Sequence, residues 1–151
     1  MISITVRQAV LADLEALAIL FDAYRQFYGR ATNLPAAREF LRARFNHGES
    51  VLFIAHEGHV AVGFMQLYPS FSSASLARTF ILNDLFVHEQ GRRKRVGTQL
   101  LAAALEFAQS LGAVRLTLST AITNTAAQAL YLSSGWKCDE EFQVFHLATG
   151  A

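Results

Sequence analysis

Residues 82–101 read Leu-Asn-Asp-Leu-Phe-Val-His-Glu-Gln-Gly-Arg-Arg-Lys-Arg-Val-Gly-Thr-Gln-Leu-Leu, and the fold is decided by how this stretch is parsed. An apolar strand ends at Val87, and a short polar loop follows. The basic turn Arg92, Arg93, Lys94, Arg95 then opens a helix. Val96, Leu100, Leu101, Ala104, Leu105, Ala108 and Leu111 recur along that helix at the 3.6-residue period, and Gly112 stops it. The first amides of a helix have no intrahelical acceptor, and the dipole adds partial positive charge there, so this layout suits an anion. Gly97, inside the first turn, lets a bulky anion come close to the backbone. A basic turn by itself reads as solvated surface; the strand-turn-helix context is what argues for a ligand. The nucleotide patterns G-x-x-x-x-G-K-S/T and G-x-G-x-x-G are both missing.

Working outward, Ile2 to Val6 alternates as a half-buried strand, and Asp13 to Tyr28 reads as an amphipathic helix stopped by Gly29. Pro35 suits the first turn of a second helix running to about Asn46. Val51–Ala55 and Val60–Tyr68 are strands joined across Glu57-Gly58-His59. Pro69 to Ser75 reads as a mobile Ser-rich loop, and Thr79 to Val87 as the next strand. Beyond the basic helix come a strand at Val114–Ser119, a short helix at Thr125–Ser133 capped by Asn124, and last strands at Trp136 and Phe142–Leu147. The order β-α-α-β-β-β-α-β-α-β-β, with no repeat or linker, predicts one α/β domain over residues 1–151 with a mixed sheet.

Composition bounds the function. The 151 residues are 52% hydrophobic and 17% charged, enough to bury a core and incompatible with a disordered chain. No apolar run approaches the length of a membrane span, and the start lacks the basic-then-apolar layout of a signal peptide. Cys138 is alone, which excludes an internal disulfide and a multi-Cys zinc site and makes a cytoplasmic location the expectation. The five histidines show no metal-ligand spacing, so no metal is expected. Thirteen Lys and Arg against twelve Asp and Glu leave a net charge of +1, too small for a general nucleic-acid binder. The cations of residues 92–95 are therefore a local feature.

A second segment, Asn124-Thr-Ala-Ala-Gln-Ala-Leu-Tyr-Leu-Ser-Ser-Gly-Trp136, places Asn124, Ala127 and Tyr131 on one helical face. Alone, Tyr131 would read as a core aromatic. With the first segment it is part of a sharper pattern. Together they resemble the GNAT superfamily, the GCN5-related N-acetyltransferases. That family's pyrophosphate motif, R/Q-x-x-G-x-G/A, matches Arg92 to Gly97 except at its first glycine, where Arg95 stands. The later N-x-x-A-x-x-L-Y-x-x-x-G-F/W pattern matches at Asn124, Ala127, Leu130, Tyr131, Gly135 and Trp136. Leu82 to Val87 most resembles the diamine N-acetyltransferase-like branch.

The resemblance implies a GNAT-like fold, a mixed and mostly antiparallel sheet of six to seven strands flanked by about four helices. It implies acetyl-CoA as cosubstrate. The pyrophosphate would lie on Arg92, Arg93, Lys94, Arg95, Val96, Gly97 and Thr98, and the pantetheine along Leu85, Phe86 and Val87, with Asn124 and Ala127 beside the arm. An amide near Leu85 or Phe86 would face the thioester oxygen and stabilise its developing charge. Arg95 can hold a right-handed helical conformation and its charge suits a pyrophosphate, so somewhat altered cofactor geometry, not lost binding, is expected. Tyr131 is the candidate acid for the departing thiolate. For the base, Asp84, Glu57, Glu89 and a water relay stand open. Asn83 occupies the place of a glutamate in many relatives, and strand alternation turns Asp84 to the opposite face unless a bulge re-aims it. The acceptor, a small-molecule or peptide amine, would meet Tyr24, Tyr28, Tyr68 and Asn83, with Asp22 as a further carboxylate for a cation. A catalytically idle acyl-CoA sensor is the alternative. Oligomeric state stays open, and the apolar end at Phe142, Val144, Phe145 and Leu147 is a candidate surface for a homodimer.

Overall fold

The alternation of Ile4–Gln8 forms β1, an edge strand that pairs antiparallel with β2, Val51–Glu57. The computed structural model describes residues 2–151, which part into two compact units between Ser119 and Thr120. In the first unit α1 spans Leu14–Phe27 and α2 Leu34–His47. Asn33 caps α2 by accepting the Ala36 amide at 3.2 Å, and Gly48 ends it in the left-handed conformation that favours glycine. β3, Val60–Ser72, follows a two-residue turn at Gly58 and His59, and β4 is Ala77–Val87. The expected Ser-rich loop is thus largely strand, and the turn lies at residues 73–76. α3 is Val96–Ser110 and β5 is Arg115–Thr117. The second unit holds α4, Thr125–Ser133.

The sheet order is β1-β2-β3-β4-β5, antiparallel except for the parallel pair β4 and β5. It has five strands, not six to seven. A strand exists through ladder bonds to a neighbour, and residues 137–151 make none among the described residues. The period of two also breaks there, where Val144 and Phe145 stand side by side.

β3 is buried from Val62 to Leu67 because helices cover both faces of the sheet. On one face Leu17, Leu20 and Phe21 of α1 and Leu41 of α2 pack on Leu52, Ile54, Phe64 and Phe86. On the other, Phe107 of α3 meets Phe53 and Phe80, with ring centroids 5.6 and 5.4 Å apart, and Val96 and Leu100 press on Gly63. Phe80 and Phe86 lie an even number of residues apart on β4, yet they face opposite layers. The reason is a bulge: Gln66 pairs with Asp84 and Leu67 with Leu82, so Asn83 has no partner on β3. One extra residue inverts the sidedness of everything after it.

Candidate active site

The bulge determines where Asp84 lies. It shares the parity of Phe86 and therefore sits on the α1–α2 layer, opposite the face that unbroken alternation from Phe80 and Leu82 gives. There it is 5% exposed. Gln66 Nε2 donates to its Oδ2 at 2.8 Å, and Asn83 Nδ2 donates to its Oδ1 at 3.2 Å. The Tyr24 hydroxyl also bonds the carboxyl and lies 3.5 Å from the Asn83 carbonyl oxygen. Burial pushes the Asp84 carboxyl above its ordinary range, against the lowering effect of these donors. Tyr68, on the same layer, is pushed up to about 12 by burial and by the charge of Asp84.

Around this carboxylate α1 supplies an aromatic wall. Tyr24 and Tyr28 meet edge to face at 5.0 Å, Phe27 meets Tyr28 at 5.4 Å, and Phe27 reaches Phe86 at 6.5 Å. Phe27 and Tyr28 are 60% and 51% exposed, so the wall runs from the buried acid to the surface. Tyr24, Tyr68 and Asn83 lie around Asp84 in the structure. Asp22 does not join them. It is 6% exposed and accepts from Thr32 Oγ1, the Asn33 amide and Gln26 Nε2, which ties the end of α1 to the start of α2. Glu57 is also engaged elsewhere, ion-paired to Lys94 at 2.7 Å.

Beyond the bulge β4 has an open edge. β5 pairs only with Thr79–Ile81, and among the described residues no strand joins the outer side of Asn83–Val87. That edge leads into the basic turn. Arg92 Nε donates to the Val87 carbonyl at 3.1 Å and fixes the turn to the strand end. Arg93 and Arg95 both have left-handed backbones, at φ 63° and 62°, separated by Lys94. The right-handed conformation open to Arg95 is therefore not the one it takes: the chain needs a sharp reversal to start α3, and the glycine that would make it without strain is absent. Among the described residues the amides of Arg93, Lys94, Arg95, Val96, Gly97 and Thr98 have no hydrogen-bond acceptor. A strained, alternately handed run of free N–H groups at a helix start forms an anion cradle. Arg93 and Arg95 add charge that no carboxylate among the described residues pairs.

In the second unit Asn124 caps α4, accepting the Ala127 amide at 3.2 Å, so its carbonyl is engaged and its Nδ2 group points elsewhere. Tyr131 lies 6.1 Å from the Trp136 ring, and its carbonyl accepts the Trp136 amide at 3.0 Å. Gly135, at φ 93°, makes the reversal that brings Trp136 back.

Two structural features were not found in the sequence reading. Gln66 was missed, although a lone amide inside the apolar run Val60–Leu67 is itself a signal. Gly91 was missed too: a Cβ there would lie 2.7 Å from Val62 Cβ, so glycine lets the loop before α3 seat against β3.

An open strand edge beside a buried carboxylate, running into a helix mouth lined with free amides, is an α/β layout suited to an extended anionic ligand. The model of the Acetyltransferase (GNAT) family matches residues 17–136. The chain belongs to that family and is an N-acetyltransferase using an acyl-CoA donor. It is 47% identical over 137 residues to YhfO, an uncharacterised N-acetyltransferase of Bacillus subtilis, across 91% of this chain and 92% of that one. A probable acetyltransferase of Haemophilus influenzae is 35% identical across 90% of this chain and 92% of its own. The crystal structure of a probable acetyltransferase superposes with a TM-score of 0.91 at 42% identity, covering 97% and 99% of the two chains. No helix among the described residues is long and apolar enough to cross a membrane.

Proposed function

We propose that this protein transfers an acetyl group from acetyl-CoA to a primary amine, with Asp84 as the base and Tyr131 as the acid. The observation that carries the reading is the bulge at Asn83, which turns Asp84 toward α1 beside the stretch of β4 that β5 leaves unpaired. The two compact units are read as one N-acetyltransferase domain, since the family match runs across residues 119 and 120.

Coenzyme A fits the residues present. The free amides of Arg93 to Thr98 and the unpaired cations Arg93 and Arg95 suit a diphosphate, and the open edge of Leu85 to Val87 suits an extended amide chain added as a strand. When bound, acetyl-CoA supplies the thioester carbonyl and a thiolate leaving group. The protein's own task is the proton. An alkylamine with pKa about 10.4 is only about one part in a thousand neutral at pH 7, an obstacle of about 4 kcal/mol. Asp84 accepts that proton, and a carboxyl held above its usual range is a stronger base than an exposed one. The wall of Tyr24, Phe27 and Tyr28 receives the ammonium by its ring faces and the body of the acceptor by apolar contact. Tyr131 gives a proton to the departing sulfur.

The resemblance of Leu82 to Val87 to the diamine branch makes a polyamine one acceptor class, and the aromatic wall makes an arylalkylamine another. Free-thiol release from acetyl-CoA is measured with spermidine, 2-phenylethylamine and a lysine peptide. At least one is expected to be acetylated. Asp84→Asn should lower kcat by about two to four orders of magnitude with coenzyme A affinity unchanged, and Tyr131→Phe should slow turnover more than it weakens binding. Unaltered turnover in Asp84→Asn rejects the base. Tight acetyl-CoA binding with no thiol release on any amine favours the idle sensor.

A further inference from the structure

A carboxylate buried against a sheet keeps its charge only where donors replace the water it has lost. Among the described residues no cation is one of the groups that act on Asp84. It is faced by Gln66 and Tyr68 from β3, by Asn83 on its own strand, and by Tyr24 from α1, while the Arg44–Glu49 ion pair acts on Tyr68. Gln66 makes a shorter bond to the carboxylate, at 2.8 Å, than Asn83 does at 3.2 Å. Its side chain is wholly buried, and Ser50 Oγ donates to its Oε1 at 2.7 Å. A primary amide has one accepting and one donating end. Seating the oxygen on Ser50 therefore turns the –NH2 end toward Asp84. A glutamine inside a buried strand is costly to desolvate, and its volume is close to that of methionine, so packing alone gives no reason for the amide.

We propose that Gln66, aimed by Ser50, is a positioning residue for Asp84: it orients the carboxylate on the α1–α2 layer and holds it in its charged form. This rests on the reading of Asp84 as the base. Without the Nε2 donor the carboxylate keeps only Asn83 and Tyr24, so it binds its proton more tightly and is a working base over a narrower range of pH.

The test is a titration of the full chain labelled with 13C at the aspartate carboxyls. The sequence has four aspartates, and the Asp84 signal is identified by its loss in Asp84→Asn. Gln66→Met keeps the volume and removes the donor; it is expected to raise the Asp84 midpoint by about one pH unit, a tenfold gain in proton affinity. Ser50→Ala frees the amide to rotate and is expected to raise it by less. Should Gln66→Met fail to fold, Ser50→Ala carries the test, because Ser50 is half-buried outside the strand. A midpoint that stays where it is in the folded variants overturns the proposal. Turnover retained by Asp84→Asn instead overturns the assignment of the base, so the two failures are separate.

Discussion

Arg95 carries strain at the start of α3, in the turn proposed to hold the cofactor. A side chain at φ 62° costs about 1–2 kcal/mol relative to glycine, offset in part by the unfolded-state entropy that glycine adds. Arg95→Gly is therefore expected to stabilise the protein by about 0.5–1 kcal/mol in urea unfolding, while coenzyme A binds more weakly for loss of a cation. Asp84 is strained in another way, since burial raises its pKa. A carboxyl whose folded-state value lies above its unfolded one favours the fold most at low pH, and that contribution is lost as pH rises through the folded-state value. Asp84→Asn should then raise the melting temperature at pH 7, and the advantage over the parent should shrink in acid. A variant that is more heat-stable and inactive is the signature of a charge kept for chemistry. Residue types at both positions were legible in the sequence. The handedness of Arg95 was not, because arginine is compatible with either backbone region and only the path of the chain selects one.

At the scale of elements, β4 and α3 make the site together. Gly91 allows the connecting loop to sit on β3, and a methyl group there would meet Val62 Cβ, which belongs to the rigid base of its side chain. Gly91→Ala is expected to cost about 1–3 kcal/mol by overpacking, and to weaken coenzyme A binding by shifting the helix mouth. Denaturant unfolding and calorimetry on the same sample check both effects. The helices were well placed by sequence because caps, stops and a 3.6-residue stripe are local signals: Val96 to Ser110 follows the apolar periodicity, and Thr125 to Ser133 starts at the Asn124 cap. The bulge left no such mark. Phe80, Leu82, Asp84 and Phe86 alternate regularly in the chain, and only the pairing of Gln66 with Asp84 and of Leu67 with Leu82 shows that Asn83 is the extra residue.

For the whole molecule, a net charge of +1 conceals a concentrated field at residues 92–95. Lys94 is neutralised by Glu57 and Arg92 is held against Val87, which leaves Arg93 and Arg95 to face a polyanion. Coenzyme A affinity is expected to fall several-fold between 50 and 300 mM salt, since exposed charges are screened over about 10 Å at 0.1 M. Calorimetry at the two concentrations checks it, and an affinity independent of salt would assign the grip to the backbone amides alone. The family motifs, the helix with a basic turn at its start and the candidate proton-moving residues were legible along the chain, because short motifs and periodic stripes are properties of neighbours in sequence. Only the folded arrangement puts Asp84 on the α1–α2 layer, spends Asp22 on tying α1 to α2, and sets Gln66 beside Asp84. Those outcomes depend on strand register and on contacts between distant segments, and register is a relation between strands that no single strand carries.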